Sequence, residues 1–403
     1  MPSPSARLLW HRPFQLYLSG RAFAEFAAQM ASVTVAWQLY ALTNSAFALG
    51  MIGLTQFLPT ALLIFLAGHA ADRYDRKRVV QICQFGSGIA AGFLAWGSIA
   101  GWLTVTEMFA AVLVLGIATA FDSPAEAALL PAVSPEGLRQ KATALATSAF
   151  QAAMIAGPAL GGFIYGFSPG IAYGVIAALW LAAALLIGGI RVDRPTENRP
   201  PPTPGAIFAG WTFVRRNPAI LGAISLDLFT VLLGGATTLL PIYARDILHT
   251  DAWGMGVLRA SPAVGALLMT FAMGHRSFTR HVGMILFQAV IVFGVATLVF
   301  ALSREMWLSI LALAVLGAAD TISMVIRIAL VQLATPDEMR GRVGAVNFLF
   351  VNASYQLGGF ESGVTAALFG AVPSVLIGGA GTILVAVIWM KLFPALRGLD
   401  RLE

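Results

Sequence analysis

Twelve stretches of this 403-residue chain stay apolar for about twenty residues or more, the length a helix needs to cross a bilayer. They run over 14–42, 46–70, 78–100, 106–130, 138–166, 169–190, 218–247, 252–273, 282–302, 305–333, 341–370 and 372–393. The runs are continuous rather than alternating, which excludes a transmembrane β-barrel. Charged residues make up 11% of the chain, against about 25% in a soluble globular protein, so a water-soluble fold of this size could not be covered. The expected class is an all-α integral membrane protein with 12 transmembrane helices. The first stretch contains Arg21 and Glu25 and is far longer than the apolar core of a cleavable signal peptide. The single cysteine, Cys83, gives disulfides no part in the fold.

The placement of charge orients the chain. If the N-terminus, every loop after an even-numbered stretch and the C-terminal tail share one face, that face holds 20 of the 25 Lys and Arg residues. The opposite face holds only Arg245 and Arg304, and Arg21, Arg259 and Arg327 lie within stretches. The positive-inside rule then puts both termini in the cytoplasm. The net charge of +6 is therefore an orientation signal, and no nucleic-acid partner is expected.

The longest polar break, 191–217, has five prolines between 195 and 204, which prevent a continuous helix. It separates an N-terminal bundle, 1–190, from a C-terminal bundle, 218–403, and its Ala206–Val214 stretch fits an amphipathic helix on the membrane surface. The bundles echo one another. Gly53-x-x-Gln56-x-x-Pro59 matches Gly256-x-x-Arg259-x-x-Pro262 at an offset of 203. Arg73 and Lys77 match Arg276 and Arg280 at the same offset. Pro135-Glu136-x-Leu138-Arg139 matches Pro336-Asp337-x-Met339-Arg340 at 201. Two parallel repeats imply a transporter that rocks around a midplane site.

The loop after the second stretch reads Gly68-His-Ala-Ala-Asp72-Arg73-Tyr-Asp75-Arg76-Lys77-Arg78. It resembles the signature loop of the major facilitator superfamily, G-x-L-x-D-R-x-G-R-[RK], with Ala70 in place of Leu and Asp75 in place of Gly. In the fifth stretch, Gly157-Pro158-Ala-Leu-Gly161-Gly162 resembles the helix-packing motif of the superfamily's proton-coupled exporters. Gln332 to Asn347, Leu357-Gly-Gly-Phe-Glu361-Ser-Gly363 and Gly256 to Gly265 are similar to the enterobactin-exporter-like branch, and the resemblance extends over essentially the whole chain. Where that branch tends to carry Pro-Ala-Arg at the end of the fourth helix, this chain has Pro124-Ala125-Glu126. The resemblance implies a transporter of alternating access, usually a monomer, in a bacterial inner membrane. It also implies gating by Asp72, Arg73, Arg76 and Lys77.

Six acids fall within the stretches: Glu25, Asp122, Glu126, Asp227, Asp320 and Glu361. A charge at bilayer depth costs several kcal/mol unless paired, neutralised or wet, so each is a functional candidate. Arg21 and Glu25 share a helix face, as do Asp122 and Glu126, and Asp320 and Arg327. Glu126 and Arg327 are equivalent at the 201 offset. The superfamily arrangement places the first, fourth, seventh and tenth helices around the cavity. Glu25 and Asp227 are then the leading proton carriers, with Glu361 a third candidate, because a poorly hydrated cavity favours a protonated carboxyl. Asp122, Glu126, Asp320 and Arg327 are candidate gate contacts. Arg21, Gln29, Trp37, Gln56, Gln151, Arg259, Asn347, Asn352, Tyr355 and Gln356 are candidate substrate contacts, against a competing use in hydrogen bonding between helices.

The five histidines lie at or near membrane boundaries, and the chain has no H-E-x-x-H, G-x-S-x-G or phosphate-loop motif. No enzyme activity, cofactor or metal is expected, and transport must draw on an ion gradient, with protons the first choice. The expected function is a proton-coupled exporter of small molecules such as drugs or siderophores. The alternatives are an uptake permease, a lysophospholipid translocator and a non-transporting membrane sensor.

Overall fold

The computed structural model describes the chain except for residues 1–7, 9–10, 136, 192–210, 276–280 and 401–403, and a few side chains within helices. Twelve long helical segments run through the described residues, and no strand occurs among them. They are α1 (Arg12–Thr43), α2 (Ala46–Arg73), α3 (Arg76–Ala100), α4 (Val105–Val133), α5 (Arg139–Phe167) and α6 (Pro169–Gly188), then α7 (Pro218–Leu233), α8 (Ala252–His275), α9 (Val282–Leu302), α10 (Met306–Leu333), α11 (Asp337–Phe369) and α12 (Ala371–Leu392). A short α13 (Pro394–Arg397) follows. Over their described residues, ten of the twelve are long and apolar enough to cross a membrane, α7 being counted with its continuation to Ile247. The other two, α1 and α11, are the longest, at 32 and 33 residues, so each has the length to span.

Local signals set the helix ends. Pro169 and Pro218 occupy first-turn positions, where a missing N–H costs nothing. Thr104 and Glu107 form a capping box at α4, and the Asn217 side chain accepts from the Ile220 N–H at α7. Gly101 ends α3 at φ +75°, a backbone geometry glycine adopts without strain.

The chain forms two compact units. The first comprises residues 1–44, 55–201 and 250–260, and the second comprises 45–54, 202–249 and 261–403. The same neighbours recur in each: α3 packs along α4 and α6, as α9 packs along α10 and α12. Similarly α1 packs along α5 and α6, as α7 packs along α11 and α12. A core in the first unit gathers Phe14, Tyr17, Val80, Leu129 and Ile187, and one in the second gathers Leu226, Phe287, Val290, Ile326 and Leu396. Ile82, Ile99 and Leu185 remain at least 70% exposed, as residues facing hydrocarbon should.

The seventh span is broken, although the sequence reads as one run over 218–247. The α-helix stops at Leu233 and continues through a 3-10 turn (Gly235–Leu239), one α-turn (Leu240–Ile242) and a π-turn (Tyr243–Ile247). The cause is local. Gly234 and Gly235 lower helix propensity, Pro241 donates no backbone hydrogen bond, and Gly235 lies so close to the Gly358 carbonyl and Ser362 Oγ that a Cβ has no room. The carbonyls of Val231 and Leu232 turn towards Gly358, where a Cβ would stand 2.8 Å from each.

The described end of the linker, 211–216, is helical. Val214 is fully buried in a cluster with Ile220, Ile224, Val343 and Val346, and Trp211 stacks on Phe350 at 5.6 Å. This part of the expected surface helix is therefore docked on protein. Residues 206–210 lie outside the described part.

Candidate functional site: two buried charge clusters

In the first unit the charges gather on α1 and α4. Arg21 Nη1 donates to the Tyr17 hydroxyl at 3.1 Å and stands 3.3 Å from Glu126 Oε1. Its Nη2 lies 3.7 Å from Glu25 Oε1, one helical turn further along α1. Asp122, a turn before Glu126, is close enough to Arg21, Glu25 and Glu126 to interact electrostatically. Its Oδ1 is buried with no hydrogen-bond partner among the described residues. One guanidinium thus serves three carboxyls. The side chains of Arg21, Glu25 and Glu126 remain 21%, 19% and 13% exposed, so the cluster is not fully sealed by protein.

In the second unit Asp227 on α7 pairs directly with Arg327 on α10. These side chains are only 6% and 7% exposed. Asp320, seven residues before Arg327 on the same helix face, is within electrostatic reach of both. A buried pair of this kind is strongly coupled, because either charge alone would lack compensation. Both clusters join the first and fourth helices of a repeat. Their signs are exchanged: the cation is on α1 in one and on α10 in the other.

The signature loop holds its own unit together. Arg76 Nη1 donates to the Ala128 carbonyl of α4 at 3.3 Å, and Lys77 Nζ donates to the Ile190 carbonyl past the end of α6 at 3.1 Å. Cations at helix C-termini are favoured by the exposed carbonyls there. Asp75, where the signature has Gly, caps α3 by accepting from the Lys77 backbone N–H at 3.0 Å. Arg73 is exposed, and the Asp72 side chain lies outside the described residues.

The Gly157-Pro158-x-x-Gly161-Gly162 motif is a contact surface on two sides. A Cβ on Gly161 would stand 2.9 Å from the Met30 Cα of α1, and one on Gly157 would stand 2.6 Å from Gln29 Cβ. Gly162 meets the Ala252 carbonyl, and Gly256 meets the Pro158 carbonyl. In the second unit, Gly53 meets the Gln356 carbonyl of α11 and Gly50 meets Gly363. Gly53 and Gly256, matched in the sequence repeat, therefore do the same job against α11 and α5.

The other candidates are more scattered. Glu361 is half-buried on α11 and accepts from Thr365 Oγ1 at 2.7 Å and Ser362 Oγ at 3.4 Å. Arg259 is half-buried in the α8 segment that belongs to the first unit. Gln29, Trp37, Gln56, Gln151, Asn347 and Gln356 are partly buried, and Tyr355 is 57% exposed. The Asn352 side chain lies outside the described residues. Sequence reasoning passed over Tyr17. A signal was present: Tyr17, Arg21, Glu25 and Gln29 recur every four residues and so share one face of α1.

The fold defines a multi-pass helical membrane transporter. The sequence profile of the Major Facilitator Superfamily matches residues 17–359, and the chain belongs to that family. It is similar to the enterobactin exporter EntS of Citrobacter koseri, with 24% identity over 395 residues covering 96% of this chain and 93% of that one. Among solved structures, a single-residue variant of the nucleoside transporter NupG superposes with a TM-score of 0.74 at 15% identity, covering 94% of this chain and all of that one. A bacterial homologue of the human lysosomal transporter Spinster, inward-facing and occupied, also gives 0.74, at 12% identity and 97% coverage of each chain. These two structures speak to fold alone.

Proposed function

We propose that this protein exports small molecules in exchange for protons across a bacterial inner membrane, with both termini in the cytoplasm. The carrying observation is the first-unit cluster, where Arg21 is shared by Glu25 and Glu126, with Asp122 beside them. Burying more carboxyls than guanidiniums leaves negative charge that a proton can balance. The cluster is not fully sealed by protein, and Arg21 can change partners as a carboxyl is neutralised. Similarity to an exporter over nearly the whole chain supports the outward direction. Glu25 is the proposed proton carrier. Asp227, held by Arg327, and Glu361, held by hydroxyl groups, are second choices. The bundles 1–190 and 218–403 are the proposed rocking bodies of a monomer, joined by the linker 191–217. Asp72, Arg73, Arg76 and Lys77 serve as the cytoplasmic gate, with Asp122, Glu126, Asp320 and Arg327 re-pairing during the cycle. Arg259 and the partly buried polar residues supply substrate contacts.

The test uses purified protein in proteoliposomes. An imposed proton gradient should drive accumulation of a cationic dye or a catechol siderophore, and Glu25→Gln should abolish the dependence on the gradient while ligand binding persists. Gradient-driven flux that is unchanged in both Glu25→Gln and Asp227→Asn would sink the assignment of the carrier.

A further inference from the structure

A basic surface surrounds the start of α7. Arg215 and Arg216 close the 211–216 helix and are exposed. Lys391 lies in the last turn of α12 and Arg397 in that of α13, and both are exposed. Packing brings the four to one end of the second unit. Phe393 lies 2.8 Å from where a Gly222 Cβ would stand, and Leu396 is buried in the same core as Ala223 and Leu226. The end of α12 and α13 therefore lie against the first turns of α7, which Arg215 and Arg216 immediately precede. None of the four cations has an ion-pair partner among the described residues. The nearest acid in sequence, Asp400, is taken by the His281 backbone N–H at 3.0 Å.

An apolar rim adjoins these charges. Leu392 is 62% exposed, and the rings of Phe229, Trp389 and Phe393 follow one another, tilted, with centroids 5.2 and 6.0 Å apart. Cations at the edge of an apolar, aromatic face match an amphiphile with a negative head and hydrocarbon tails. The arginines are also held in position: Trp211 stacks on Phe350 and Val214 is buried, so the 211–216 helix is fixed to the unit rather than tethered loosely. We propose that this surface binds the headgroup phosphates of anionic phospholipids in the leaflet at the basic face of the protein. Binding here is independent of what the transporter carries.

The experiment titrates the purified full chain with phosphatidylglycerol or phosphatidylcholine and counts bound lipid by native mass spectrometry. Phosphatidylglycerol should bind preferentially, and added salt should erase the preference. Arg215→Gln/Arg216→Gln should weaken it about fivefold per charge removed, whereas Arg304→Gln on the other face should not. Trp211→Ala keeps all four charges but frees the helix, and it should also weaken binding. Equal affinity for both lipids, equal loss in Arg304→Gln, or no effect of Trp211→Ala would overturn the proposal. So would full competition by inorganic phosphate.

Discussion

Glu126 and Arg327 stand 201 residues apart at equivalent places in the two repeats, and each pairs with the opposite charge on the helix that opens its repeat. Equivalent geometry has been kept while polarity is reversed. The two pairs differ in burial and in the number of acids they face, so their responses to substitution should differ.

Glu126→Gln removes one of Arg21's two ion-pair partners, in a cluster that protein does not fully seal. The expected stability loss is roughly 1–2 kcal/mol, with transport falling much further than stability. Exchanging the charges, Arg21→Glu with Glu126→Arg, should recover folding without restoring wild-type flux, because Glu25 then faces a glutamate. Detergent melting curves alongside liposome flux separate the two effects.

Asp227→Asn leaves Arg327 buried without its direct counter-charge. A loss of about 3–5 kcal/mol is expected from breaking one side of a buried pair. The double change Asp227→Asn/Arg327→Gln should be more stable than Asp227→Asn alone. If thermal unfolding ranks them the other way, the buried pair is not what stabilises this site.

Glycine positions should divide by contact. Gly161→Val and Gly363→Val drive side chains into the Met30 and Gly50 backbones, and folded yield on size exclusion should collapse. Gly86→Ala and Gly92→Ala meet nothing within 4 Å and should express as wild type.

Asp75→Ala removes the cap of α3 and should cost about 0.5–2 kcal/mol locally, seen as faster amide exchange in the first turn of that helix. Asp75→Gly, which restores the superfamily's residue, should cost only a few tenths of a kcal/mol.

The bilayer made most of the architecture readable, because every crossing must be a long apolar helix and every crossing flips the side on which cations collect. The break in the seventh span was not readable. The Gly234-Gly235 pair is visible in the chain, but its consequence depends on Gly358 and Ser362 arriving from α11. Helical spacing gave the Arg21–Glu25 contact, since both lie on one helix. It could not give Arg21–Glu126 or Asp227–Arg327, which need two helices to meet. The same limit explains Asp320: it shares a face with Arg327, yet the acid in direct contact is on another helix. Asp75 reads in sequence only as a departure from the signature, and its capping hydrogen bond explains why the departure is tolerated.

Residues 45–54 belong to the second unit and residues 250–260 to the first, so each unit is completed by a segment from the other half of the gene product. A polypeptide cut in the proline-rich linker would give two fragments, each carrying a strip that the other needs. Gly162 and Pro158 would be left without Ala252 and Gly256, and Gly363 without Gly50. Fragment complementation on co-expression of the two halves is the behaviour these reciprocal contacts lead us to expect.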